Sequence, residues 1–136
     1  MVTKRIVLDT NIIISAFGWN GTPRRVLFAL LERHYALAFS SETLQELQTV
    51  LAYPKFAFSS QQKESLLDFL AAHSDRVEIL NKYRIIDEDL SDNAFIDCAV
   101  AAGAAIIVSG DTHLLTLRSY GSIQILTPAE FLKRFV

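Results

Sequence analysis

Short apolar runs alternate with longer stretches of helical period along the whole chain. "RIVLD" (5–9) is a compact, β-branched run that predicts a buried strand. "TNIIISAF" (10–17) stays apolar and predicts a helix packed on the sheet. "GWNGTP" (18–23) reads as a loop, and Thr22-Pro23 as a helix start, a hydroxyl cap followed by proline. Val26, Leu27, Leu30 and Leu31 keep helical spacing up to Arg33. "ALAFS" (36–40) predicts a second strand. Ser40 or Ser41 then opens a helix with Leu44, Leu47 and Leu51 inward, stopping near Tyr53 because Pro54 follows.

The second half repeats the alternation. Ser59 or Ser60 starts a helix carrying Leu66, Leu67, Phe69 and Leu70. "RVEIL" (76–80) predicts a third strand, and an acid-rich polar loop follows. From Asp92 to Ala102 the residues are small, with Phe95, Ile96, Ala99 and Val100 assigned inward and Gly103 as the stop. "AIIVSG" (105–110) is a fourth strand, "THLLTL" a short helix, "SIQIL" (122–126) a fifth strand, and Thr127-Pro128 opens a last helix. Strands alternating with helices imply a parallel sheet covered on both faces. The fold class is therefore α/β, in three layers, as a single domain over residues 1–136.

Composition narrows the class. Half the residues are apolar (51%), which is ample for a core and unlike a disordered chain. The single cysteine, Cys98, allows no internal disulfide framework and fits a reducing cytosol. No apolar run approaches a membrane span, and Asp9 and Asn11 interrupt the N-terminal apolar stretch where a signal peptide needs continuity. A cytoplasmic protein with no membrane association is expected. The formal charge of −2 does not advertise a nucleic-acid binder, yet acids gathered at a metal site can leave a basic rim elsewhere.

The placement of the acids changes the picture most. Asp9 ends the first strand, Asp111 follows the fourth, and Asp92 starts the helix that leads into the fourth. In open parallel sheets ligands bind beyond the carboxyl ends of strands. Carboxylates gathered at that rim raise one another's pKa unless a cation is present, and a hard divalent ion, Mg²⁺ or Mn²⁺, suits all-oxygen ligands. Each acid also has a plain structural reading, as a turn residue or helix cap. Cys98 reads as core.

Three stretches, "VLDTNIIISAF", "SSETLQELQTVL" and "SDNAFIDCAVAAGAAIIVSGDTHLL", together with "GTPRRVL" and "YPKF", resemble the PIN-domain ribonucleases, and most of all the VapC-like toxins of bacterial type II toxin–antitoxin pairs. The resemblance covers nearly the whole chain. It implies a five-stranded parallel sheet of order 3-2-1-4-5 and a metal-dependent ribonuclease site using Mg²⁺ or Mn²⁺. Carried over by position, the catalytic and metal-binding acids are Asp9, Glu46, Asp92 and Asp111, with Asp97 as a further candidate ligand. Spacing alone would leave Glu46 a solvated residue beside the Leu44–Leu47–Leu51 stripe. Relatives often carry two or three consecutive acids where this chain has Ser91, Asp92 and Asn93.

Thr10, Asn11 and Ser109 supply short polar groups that could orient ligands or a phosphate. Arg24, Arg25 and Lys55 are candidate substrate contacts expected near the carboxylate rim, and Trp19 could stack an unpaired base, plug a dimer interface or cover the edge of the core. The implied partners are an RNA substrate, a cognate antitoxin and a second copy in a homodimer. Other classes fit less well. A phosphatase of the paired-Asp type needs a second Asp where Asn11 stands, and "DTNIII" lacks the glycine-rich turn of dinucleotide sites. The competing reading is a non-catalytic or weakly active PIN module that works through antitoxin binding.

Overall fold

The computed structural model describes residues 4–79 and 90–135, with the side chains of residues 90–92 and 135 outside that description. The elements follow in the order β1 (Arg5–Leu8), α1 (Thr10–Gly18), α2 (Thr22–Glu32), β2 (Ala36–Phe39), α3 (Ser41–Leu51), α4 (Ser60–His73), β3 (Ser74–Arg76), α5 (Leu90–Ala102), β4 (Ile106–Val108), α6 (Thr112–Leu117), β5 (Ser119–Tyr120), β6 (Ile123–Leu126) and α7 (Pro128–Phe135). A 3₁₀ turn, Pro54–Phe56, joins α3 to α4.

The sheet order is β3-β2-β1-β4-β6-β5. The first five are parallel, which is the 3-2-1-4-5 arrangement the sequence led us to expect, with β6 as the fifth strand. β5 adds a two-residue antiparallel edge through a tight turn, where Gly121 takes a positive φ of 58°.

Strand side chains alternate between two cores. Ile6, Leu8, Leu37, Phe39, Ile106, Val108 and Leu126 face one cluster, with α1, α2, α3, α4 and α7. Val7, Ala38, Ile107, Ile123 and Ile125 face the other, with α5 and α6. Both faces of these short strands are buried, so they read as continuous apolar runs rather than alternating ones. This is the three-layer arrangement.

Three local expectations are corrected. The third strand is Ser74–Arg76, paired with Leu37–Phe39, and not "RVEIL". Val77 extends the ladder by one bond, donating to the Phe39 carbonyl at 2.8 Å. The short β2 sets the pairing length, and the polarity of "SDR" hid an edge strand. Val100 lies outward on α5, whose inward face is Phe95, Ile96, Cys98, Ala99 and Ala102. Gly21 rather than Thr22 caps α2, with no side-chain bond. The polar loop over 81–89 lies outside the described residues.

Small residues on α5 let it sit close over β1, β2 and β4. Arg5, at the start of β1, donates to the Ala102 carbonyl at the end of α5. The helix therefore runs against the strands, and its first turns lie toward their carboxyl ends.

Candidate active site

β1 delivers Asp9 to the carboxyl rim of the sheet. Its amide continues the ladder, donating to the Val108 carbonyl at 3.0 Å, and its carboxylate turns to cap α1, accepting from the Asn11 amide at 3.4 Å. β4 delivers Ser109 next door. The Ser109 hydroxyl donates to Asp9 Oδ2 at 2.6 Å and accepts from the Asp111 amide at 2.9 Å. Asp111 caps α6, its Oδ1 accepting from the His113 amide at 2.8 Å and the Leu114 amide at 3.4 Å. The capping role and the site role thus coexist in both aspartates. One buried serine ties the two strand ends together.

Electrostatics make this pair unusual. Asp9 is only 5% exposed. Burial pushes its carboxyl above the usual range, and the nearby Asp111 charge adds to the rise. Bonds from Ser109, Asn11 and Thr10 oppose it. A buried carboxylate beside a second carboxylate calls for a cation, and the all-oxygen donors suit a hard divalent ion. On those grounds the residues fit Mg²⁺ or Mn²⁺.

Glu46, on α3, comes to the same end of the fold. Thr10, the first residue of α1, donates its hydroxyl to Glu46 Oε2 at 2.8 Å. Glu46 is half-buried and held, not simply solvated. On α5, Asn93 and Asp97 are both buried and one helical turn apart, so they share a face. The Asp92 side chain lies outside the described residues. Among the described residues no three His, Cys, Asp or Glu side chains group closely enough to hold one ion. The structure brings together Asp9, Ser109 and Asp111, with Thr10 at the start of α1 bonded to Glu46 midway along α3.

The other sequence candidates lie elsewhere. Trp19 follows the far end of α1, where its amide caps the helix on the Ser15 carbonyl. Arg24 closes that same end, donating to the Ala16 and Phe17 carbonyls at 2.8 and 3.0 Å and to Asn20 Oδ1. Lys55 sits over the Phe56 ring, which itself contacts Trp19. Arg25 is exposed on the first turn of α2. The expectation that Arg24, Arg25 and Lys55 share the carboxylate rim is therefore corrected. Apolar packing of the α1–α2 corner draws them to the opposite end of α1. Asn11 is exposed beside Asp9.

Sequence reasoning missed the clamp by Arg24 and the exact partners of Thr10 and Ser109. The "VSGD" spacing held the signal for Ser109, since a hydroxyl two residues before an Asp reaches that Asp's amide. Two predictions follow from these bonds. Ser109→Ala is expected to cost about 1–3 kcal/mol in denaturant unfolding, because it removes the donor to a buried carboxylate and leaves the half-buried Asp111 amide without its acceptor. Arg24→Met is expected to lower stability by about 1–2 kcal/mol through loss of charge-assisted bonds to orphan helix carbonyls.

The model of the PIN domain matches residues 5–113. The chain belongs to the PIN domain family. Among solved structures, this PIN domain is similar to a chain of VapBC2 from Rickettsia felis, determined bound to a DNA fragment from their promoter. That similarity covers 90% of this chain and 98% of the other, with a TM-score of 0.63 at 19% identity. At that identity it speaks to the fold. No curated protein matches the chain in sequence. Among the described residues no helix is long and apolar enough to cross a membrane.

Proposed function

We propose that this PIN domain is an Mg²⁺- or Mn²⁺-dependent endoribonuclease acting as the toxin of a toxin–antitoxin pair. The observation that carries this reading is the Asp9–Ser109–Asp111 bridge, a buried carboxylate locked beside a second one at the carboxyl rim of a parallel sheet. PIN domains are generally nucleases, and the likeness to a chain of a VapBC2 complex supports a cognate antitoxin as partner. The cytoplasm and a homodimer complete the reading.

Asp9, Asp111, Glu46 and Asp92 would hold the ion, with Asp97 as a further acid behind them. When bound, such an ion lowers the pKa of water and offsets charge on a phosphoryl oxygen. The chain's own groups do the positioning. Ser109 fixes the Asp9 carboxylate and the Asp111 backbone at once, so neither can swing as charge builds on a substrate phosphate. Thr10 fixes Glu46 in the same way. Ser109→Ala is accordingly expected to lower activity about 10–100-fold, as loss of a group orienting a ligand does.

Calorimetric titration with Mn²⁺ tests the reading. Saturable binding by the wild type, weakened in Asp9→Asn, is expected. Absence of binding would favour the module that acts through its antitoxin.

A further inference from the structure

At the far end of α1 lies an aromatic cluster that the carboxylate site does not use. Trp19 is 53% exposed and Tyr53 46%. Trp19 meets Phe56 and Phe58 edge-on, with ring centroids 6.4 and 6.1 Å away, and those two rings stack on each other at 6.2 Å. Gly18 makes the approach possible, since a Cβ there would lie 3.1 Å from the Phe58 ring. Phe56 and Phe58 are half-buried against the core, so the open part of the cluster is the Trp19 face, and an exposed face of that size marks an interaction surface.

Charge indicates the partner. The stretches that carry the rings, residues 18–25 and 52–63, hold Arg25, Lys55 and Lys63 as cations and no Asp or Glu, while Arg24 is bound to the α1 carbonyls and Glu64 follows Lys63. The Lys55 ammonium lies 5.1 Å from the Phe56 centroid, so positive charge and ring faces are interleaved. An open indole face beside cations suits the bases and phosphates of an unpaired strand.

Topology links the cluster to the carboxylates. α1 and α3 pack side by side. α1 begins just after Asp9 and α3 carries Glu46, while the chain just beyond each helix supplies Trp19 and Tyr53. The nine residues of α1 span about 14 Å. We infer that the Trp19–Phe56–Phe58 cluster is a stacking platform for unpaired bases of single-stranded RNA, one helix length from the carboxylates. The inference rests on the ribonuclease reading, and extends it to a second contact point for the strand.

Trp19 is the sole tryptophan, so its emission reports directly on the platform. The probe is an eight-nucleotide single-stranded RNA added to Asp9→Asn protein, which should leave it uncut, with a blunt RNA duplex as comparison. The single strand is expected to quench the emission and the duplex is not. In the same background Trp19→Ala is expected to weaken binding of the labelled strand about tenfold, and Trp19→Phe to restore most of it, with circular dichroism confirming the fold of each. Emission unchanged while labelled RNA binds would overturn the inference and leave the surface to a protein partner. So would absence of RNA binding, or equal binding by Trp19→Ala. Metal-dependent cleavage with a silent Trp19 would sink the platform alone. Quenching without cleavage would sink the ribonuclease reading and keep the platform.

Discussion

Asp9→Asn is expected to abolish RNA cleavage while raising the temperature at which the metal-free protein unfolds. The two effects have one cause. Asp9 is nearly inaccessible, and its charge is carried there against both burial and the neighbouring Asp111. Without a cation that charge is a cost to the fold. Asparagine keeps one oxygen for the Asn11 amide and turns its NH2 toward the Ser109 oxygen, so the cap survives while the charge goes. The melting temperature should rise by about 3–5 °C for each kcal/mol of charge burial relieved.

Cleavage should fall by about three orders of magnitude, since an anionic ligand worth several kcal/mol to the transition state is gone. The pH dependence has a definite sign. Because the folded-state pKa is raised, the folded protein binds more protons than the unfolded chain between the ordinary carboxylate value and the raised one. Metal-free wild type therefore loses stability as pH rises through that window. Asp9→Asn lacks that part of the slope. Added Mn²⁺ should restore wild-type stability and do much less for the variant.

Asp111 has two tasks that substitution can separate. Its Oδ1 caps α6 through the His113 and Leu114 amides, and its charge belongs to the carboxylate pair. Asp111→Asn preserves the cap and is expected to change stability by less than about 0.5 kcal/mol, with cleavage reduced about a thousandfold. Asp111→Ala should lose the same activity and a further 0.5–2 kcal/mol or so of stability, the usual worth of an N-cap. Paired unfolding curves and cleavage rates for both variants check this. If the alanine variant alone lost activity, the cap would be the only role of Asp111.

The centre of the architecture was legible because β1 and β4 are short, rich in β-branched residues and buried on both sides. Ile6 to Leu8 and Ile106 to Val108 show this plainly. β3 was not, because "SDR" is polar and its strand character comes from pairing with Leu37–Phe39, a tertiary fact. β5 escaped for the same reason, as a two-residue edge defined only by its partner. At the site, the strand-end positions of Asp9 and Asp111 were readable from the chain. The Ser109 bridge and the Thr10–Glu46 bond were not, since they join residues 100 and 36 positions apart. Arg24 looked like a free cation because sequence spacing does not show that the end of α1 turns its open carbonyls toward it.

The central claim is best tested by one measurement. Purified protein is incubated with a panel of labelled single-stranded RNAs in Mg²⁺ or Mn²⁺ and in EDTA, beside Asp9→Asn. The account predicts cleavage that needs the metal and vanishes in the variant. Equal cleavage by wild type and Asp9→Asn, or none of any RNA by either, would contradict it.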